Sequence, residues 1–348
     1  MDLFINGRRI SHEDPPYVIA ELSANHNGKL ERALETIDEA QRCGAHAVKL
    51  QTYTADTMTI DCDLPDFLIN GGPWDGYRLY DLYKQAQTPF EWHKPIFEHA
   101  RRRGLTIFST PFDESAVDLL EELQAPAYKI ASFELTDLPL IRYVARTRKP
   151  MIMSTGMASE QEIAEAVDAA RDAGCQQLVL LHCISSYPAP IDQANLRRIP
   201  QLGQRFSVLS GLSDHTLGTT ASIAAVALGA RVIEKHFILS RAEKGPDSDF
   251  SLEPDELRRL CEETRDAWSA LGREGYERQP AEAGNAVFRR SIYFVRDMTA
   301  GQAVTRDDIK RIRPGFGLQP RYFDALIGRR LKFAVRRGTP TAMDQFLD

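Results

Sequence analysis

His215 and His236 stand at the ends of two consecutive β-rich runs. Neutral imidazoles converging from neighbouring strands can hold a divalent metal, with water or substrate filling the remaining positions. The other reading is two ordinary hydrogen-bonded histidines. Asp214, beside His215, is the expected partner that would orient its ring. Lys49 and Lys129 sit inside apolar runs, where an ammonium is costly unless paired. Three partners suit them. One is a phosphate or carboxylate of a substrate, to which Thr110, Ser132, Ser154 and Ser213 would also donate. A second is a carbonyl substrate, held as a Schiff base. A third is an internal carboxylate, Glu21 or Glu134. Glu21 itself suits a general base or a group that orders a lysine. His26, in Asn25-His26-Asn27, either reaches the site or caps the following helix. Tyr187-Pro188 either lines a sugar pocket or makes a turn. Trp74 and Trp92 read as core or lid packing.

These side chains need a scaffold that brings strand ends together. Eight β-rich runs alternate with helical patterns: Tyr17–Glu21, His46–Gln51, Leu105–Thr110, Ala127–Ser132, Met151–Ser154, Gln177–His182, Ser207–Gly211 and Arg231–His236. Most are continuously apolar, as parallel strands buried on both faces are. Leu30, Ala33, Leu34, Ile37 and Ala40 mark a helix by their spacing. Thr88-Pro89-Phe90-Glu91 and Ser159-Glu160-Gln161-Glu162 read as capping boxes, and Gly44, Gly104 and Gly174 as C-terminal caps. Eight β/α units predict a (β/α)₈ TIM barrel over residues 1–272, with active-site groups at the C-terminal strand ends. Those ends supply Glu21, Lys49, Gln51, Ser109, Thr110, Lys129, Ser132, Ser154, Thr155, His182, Ser213, His215, Glu234, Lys235 and His236. A doubly wound sheet is the runner-up, but no GxGxxG follows the first strand. The long connection after Gln51, including Asp61–Gly76, reads as a lid or specificity loop. Residues 273–289 read as a linker, and the turn-rich stretch 290–348 as a small second domain.

Composition narrows the function classes. The 348 residues are 43 % hydrophobic, enough for a full core, and carry a net charge of −6, which argues against a nucleic-acid-binding surface. No apolar run approaches the roughly 20 residues that span a membrane. The N-terminus lacks the apolar stretch of a signal peptide. The five cysteines are odd in number and form no CxxC pair, so they read as reduced thiols of a cytoplasmic protein. None has a base at a recognisable spacing, which argues against a catalytic cysteine.

Taken in order, the motifs resemble the sialic acid synthase family of phosphoenolpyruvate-dependent sugar synthases, over nearly the whole chain. They are Ile19-Ala-Glu-Leu-Ser-Ala-Asn-His-Asn-Gly28, Val48-Lys-Leu-Gln-Thr52, Phe108-Ser-Thr-Pro-Phe112, Tyr128-Lys-Ile-Ala-Ser132 and Ser154-Thr-Gly-Met157. Leu181-His-Cys183, Tyr187-Pro188, Gly211-Leu-Ser-Asp-His-Thr216, Glu234-Lys-His-Phe237 and Gly245-Pro-Asp247 follow. The C-terminal stretch, with Arg290-Ser291 and Arg313-Pro-Gly315, resembles the family's antifreeze-like (SAF) domain. Within the family, Glu21-Leu-Ser-Ala-Asn-His-Asn27, Gln51-Thr-Tyr-Thr-Ala-Asp56, Gly71-Gly-Pro-Trp-Asp75, Leu79-Tyr80 and Gln87-Thr-Pro-Phe-Glu-Trp-His93 look most like the pseudaminic acid branch. Ile184-Ser185-Ser186 departs from the asparagine that N-acetylneuraminate synthases carry there.

The resemblance implies condensation of phosphoenolpyruvate with an N-acetylated amino sugar, 2,4-diacetamido-2,4,6-trideoxy-L-altrose in the pseudaminic acid branch. N-acetylneuraminate or legionaminate synthesis is the near alternative, and a Schiff-base aldolase the distant one. It implies Glu21 as catalytic base. It gives phosphoenolpyruvate to Lys49, Thr110, Lys129, Ser132, Ser154 and Ser213. It gives the sugar to Gln51, Tyr187, Asp247, Arg313 and Phe288, and a divalent metal to His215 and His236. Mn²⁺ is the ion implied, with Mg²⁺ or Co²⁺ as alternatives. A domain-swapped homodimer is implied, with Arg313 reaching the active site of the second subunit.

Overall fold

The computed structural model describes residues 2–72 and 74–347, so Pro73 of the Gly71–Asp75 motif lies outside the described residues. The chain divides into two units, Met1–Gly272 and Arg273–Asp348. The first opens with an antiparallel hairpin, β1 (Leu3–Ile5) and β2 (Arg8–Ile10). Eight parallel strands follow: β3 (Tyr17–Glu21), β4 (Ala47–Thr52), β5 (Thr106–Pro111), β6 (Tyr128–Ile130), β7 (Met151–Ser154), β8 (Leu178–Cys183), β9 (Leu209–Asp214) and β10 (Val232–His236). They pair in chain order, and β10 closes onto β3 in a complete barrel. The (β/α)₈ expectation is met, and each expected run holds one strand shifted by a residue or a few.

Period two decides where each side chain goes. Tyr17, Ile19, Ala47, Phe108, Ile152, Val179, Leu209 and Val232 point inward and fill the lower barrel. Leu3, Ile5 and Ile10 of the hairpin join that cluster and plug its N-terminal end. Val18, Ala20, Val48, Leu50, Ile107 and Ile233 point outward, against helices such as Leu30–Arg42 and Phe90–Arg102. Both strand faces are therefore apolar, as parallel strands under helices require. Gly211 is required by closure, because a Cβ there would lie 2.1 Å from the Val232 carbonyl oxygen on the next strand.

Helix signals held in most places. Ser159 caps Glu160–Asp172 and Glu162 returns the bond, as the sequence predicts. Gly44, Gly104 and Gly174 all have positive φ after their helices. Thr88 is a correction. Pro89 occupies the N-cap of Phe90–Arg102 and no side chain caps it, so Thr88 lies one residue too early; its buried hydroxyl has no partner.

The second unit begins with a 3₁₀ stretch, Pro280–Phe288, inside the segment read as linker. An antiparallel pair follows, β11 (Ser291–Phe294) and β12 (Ile309–Ile312). Ile292, Phe294, Val304, Ile309, Leu326 and Leu331 form its own core.

Candidate active site

Counting inward positions up each strand, the apolar layers end and a polar layer begins at the C-terminal rim. Glu21 follows Ile19, Lys49 follows Ala47, Thr110 follows Phe108, Ser154 follows Ile152 and Glu234 follows Val232. The same parity sends Ser109, His182 and Lys235 out of the barrel. His182 bonds the Ala194 carbonyl at 2.7 Å, Ser109 lies 2.6 Å from Thr52, and Lys235 pairs with Asp214 at 3.0 Å. These three expected rim residues therefore do not face the site.

Within the rim, charges are paired. Lys49 Nζ lies 2.7 Å from Glu21, which is also its partner across the β3–β4 register, and donates to Thr110 Oγ1 at 3.0 Å. Glu234 sits between the two lysines, 3.9 Å from Lys49 and 3.7 Å from Lys129, and accepts from the Ser213 hydroxyl at 3.0 Å. Internal pairing is thus realised, with Glu234 rather than Glu134 as the close partner of Lys129. Burial raises the Glu21 pKa well above the usual carboxylate range, and the neighbouring Glu234 charge adds to this, although Lys49 opposes it. Burial also works against the charge on Glu234, but Lys129, Lys49 and the Ser213 hydroxyl outweigh it and hold that carboxyl low. Burial lowers the pKa of Lys129. Thr110 accepts from Lys49 and Ser132 accepts from the Gly156 N–H at 3.1 Å, so each keeps its own proton to donate. Ser154 is buried with no partner. Ser213 is already committed to Glu234.

The imidazoles converge as the spacing implies. Their centroids are 5.4 Å apart. The Ile184 carbonyl lies 3.0 Å from His215 Nδ1, which favours the proton there and leaves the Nε2 lone pair free for a ligand. His236 Nδ1 is buried without a hydrogen bond, 3.8 Å from Asp247 Oδ2. Burial pushes the His236 pKa well down, towards the neutral form that binds metals. Two basic nitrogens with room for oxygen donors fit a divalent ion. Among the described residues no group of three or more His, Cys, Asp or Glu side chains is arranged as a complete metal cage. Asp214 does not orient His215: it faces outward, bonding Thr216, Ser222 and Lys235.

Above the rim lies a cavity of about 450 Å³, lined by Gln51, Tyr187, His236 and Asp247 among others. The Gln51 amide donates to Glu21 Oε1 at 3.1 Å, and the Tyr187 ring lies 4.3 Å from that of His215. Trp74, in the loop, also lines the cavity, its ring 5.9 Å from that of Tyr187, a place that suits lid packing. His26 turns away: its Nδ1 accepts from Gly28 N–H at 3.1 Å and its ring packs on Trp92. Arg313 and Phe288 lie in the C-terminal unit, both exposed.

The sequence assigns no cavity role to Glu134 or Ser185, and sets Cys183 aside. Glu134 lines the cavity, and burial of its carboxyl, with Oε2 unpartnered, raises its pKa to about 7. Ser185 lines it too. Cys183 faces inward, its sulfur 3.6 Å from His215 Nδ1, but that nitrogen directs its proton at the Ile184 carbonyl and is no base toward the thiol. Strand parity would have found Cys183; the sequence offers Glu134 only as a candidate lysine partner and Ser185 only in the departure at Ile184-Ser185-Ser186.

A family model described as the NeuB family matches residues 36–276. The chain belongs to the NeuB family. A SAF domain model matches residues 289–347, so a (β/α)₈ barrel is followed by a SAF domain. Among NeuB relatives, the chain is 43 % identical to the pseudaminic acid synthase of Campylobacter jejuni, over 95 % of this chain and 96 % of that one. It is 42 % identical to the pseudaminic acid synthase of Helicobacter pylori, over 95 % and 97 %. The crystal structure of an N-acetylneuraminic acid (sialic acid) synthetase from Leptospira borgpetersenii matches with a TM-score of 0.74 at 31 % identity, covering 82 % of this chain and 95 % of that one.

Proposed function

We propose that the chain is a pseudaminic acid synthase, joining phosphoenolpyruvate to 2,4-diacetamido-2,4,6-trideoxy-L-altrose. The similarity to pseudaminic acid synthases along 95 % of the chain carries this reading. The paired lysines and imidazoles on one rim support it.

In this reading Lys49 and Lys129 hold the phosphate and carboxylate of phosphoenolpyruvate. Thr110, Ser132 and Ser154 donate to the same oxygens, and Ser213 joins them by giving up Glu234. Gln51, Tyr187 and Asp247 hold the sugar. Carbon 3 of phosphoenolpyruvate attacks the aldehyde carbon; the new carbon–carbon bond forms and the aldehyde oxygen takes a proton. Water adds to the cationic carbon 2 and gives its proton to Glu21, whose raised pKa suits it to that role. The bond from carbon 2 to the phosphate oxygen breaks, the leaving phosphate takes the proton of the new carbon 2 hydroxyl, and carbon 2 becomes the ketone of a nonulosonic acid. His215 and His236 would hold a divalent ion, which supplies Lewis-acid polarisation of the aldehyde oxygen when bound. Mn²⁺ is the ion proposed, with Mg²⁺ or Co²⁺ as alternatives.

A homodimer belongs to the same reading, with Arg313 and Phe288 serving the sugar site of the second subunit. Specific activity that falls on dilution supports it; full activity in a stable monomer overturns it. No helix among the described residues is long and apolar enough to cross a membrane. The free cysteines fit a cytoplasmic enzyme, which cell fractionation tests.

The deciding experiment is phosphate release from phosphoenolpyruvate with Mn²⁺ against three sugars: the altrose derivative, N-acetylmannosamine and 2,4-diacetamido-2,4,6-trideoxymannose. Turnover of the altrose sugar alone supports the proposal. Turnover of a manno sugar instead keeps the mechanism and overturns the substrate. No release with any of them, together with borohydride trapping of pyruvate on Lys49 or Lys129, points to a Schiff-base aldolase.

A further inference from the structure

The cavity has two unlike sides. Toward the barrel axis it presents the polar groups described above. The other side comes from three separate pieces of the connection between β4 and β5. Met58 ends the short helix Ala55–Met58, Ile69 lies in the loop, and Leu79 and Leu82 stand one turn apart on the helix Leu79–Ala86. None of the four carries a hydrogen-bond donor. The loop is held in place. Ile69 N–H donates to the Tyr77 carbonyl and Gly76 N–H to the Ile69 carbonyl, each at 2.9 Å. The Trp74 indole donates to the Pro246 carbonyl at 3.2 Å, tying the loop to the far side of the cavity. Tyr53 and Tyr83 line the same cavity, but a hydroxyl placed against these four side chains would lose its water and gain no partner from them, whereas a methyl would lose nothing.

We propose that this wall receives the methyl at carbon 6 of the acceptor sugar and thereby selects 6-deoxy over 6-hydroxy amino sugars. The proposal rests on the reading of the chain as a diacetamido-sugar synthase and deepens it by naming the selecting residues. The reacting aldehyde must lie on the polar side, by His236 and Gln51, so the far end of the open-chain sugar meets the wall. An apolar surface rejects an added hydroxyl incompletely, by roughly 10² in kcat/KM.

The test is phosphate release with phosphoenolpyruvate, Mn²⁺ and two sugars that differ only at carbon 6: the trideoxy altrose derivative and its 6-hydroxy counterpart. The native protein is expected to prefer the deoxy sugar by about 10²-fold. Leu82→Gln and, separately, Met58→Gln should each narrow that ratio by about tenfold or more, by improving kcat/KM for the hydroxy sugar. Met58 is only half-buried, so its variant keeps the test alive if Leu82→Gln does not fold. A native ratio within about threefold, or a ratio unchanged by Met58→Gln, overturns the proposal alone. Release from neither sugar, with N-acetylmannosamine turned over instead, overturns the substrate reading and this proposal with it.

Discussion

Replacing Glu134 with glutamine should uncouple part of the barrel's stability from pH. The Glu134 carboxyl lines the cavity with Oε2 buried and unpartnered, and burial raises its pKa from an ordinary 4.5 to about 7. Because the folded value is the higher one, the native state keeps a proton that the unfolded chain releases between those two pH values. The associated stability is fully present below pH 4.5 and is lost as pH rises through about 7. The interval is 7 − 4.5 = 2.5 units, which at 1.36 kcal/mol per unit corresponds to about 3 kcal/mol. Glutamine has nearly the same shape and cannot ionise. Glu134→Gln should therefore match the parent to within about 0.5 kcal/mol near pH 4.5 and exceed it by about 3 kcal/mol at pH 8. Urea unfolding followed by tryptophan fluorescence is the assay, because Trp74, Trp92 and Trp268 all belong to the barrel unit. Groups that do not interact with Glu134, unlike Lys129 and Asp137, titrate alike in both proteins and cancel in the difference. A stability difference that is the same at both ends of the pH range would falsify the burial argument.

Lys49→Met leaves the Glu21 carboxylate buried without its 2.7 Å partner, and should lower barrel stability by about 3–5 kcal/mol in the same urea assay. Glu21→Gln should keep the fold but cut kcat for phosphate release by roughly 10²–10⁴; an unchanged kcat removes Glu21 from the chemistry. Gly156→Ala would place a methyl 2.2 Å from Ser185 Oγ and 2.7 Å from Ser132 Oγ, turning both hydroxyls aside. Phosphate release should then fall by about tenfold or more in a protein that still folds, since only two small side chains must rotate. Dialysis against EDTA should abolish phosphate release and Mn²⁺ restore it, whereas His236→Ala should leave restoration incomplete at any Mn²⁺ level that suffices for the parent.

The barrel was legible because parallel strands covered by helices are apolar on both faces, which leaves continuous runs such as Gln177–His182 and Arg231–His236 in the sequence. Most of the rim was legible as well, since a lysine or glutamate inside such a run has few uses. Parity sorts that rim. Glu234 and His236 face the site while Lys235, between them, pairs with Asp214 behind the sheet. Proximity in sequence misled at Asp214 for the same reason, because neighbouring strand positions point to opposite faces. Thr88 misled because Pro89 took the N-cap that a capping box assigns to threonine. The connection after Gln51 was legible as a lid or specificity loop, but its apolar wall was not: Met58, Ile69 and Leu82 share no period and come together only in the folded loop, which bonds to Pro246.

Barrel closure sets an order of events during synthesis. Glu21 and His236 are register partners across the β3–β10 seam, although 214 other residues separate them in the chain. The ring cannot close until the ribosome has released β10, so no nascent fragment ending before residue 236 brings the proposed base and metal ligand together. The proposed catalyst thus arises late and all at once. An unfinished chain can acquire helices and buried strands, but it has no assembled centre with which to consume phosphoenolpyruvate.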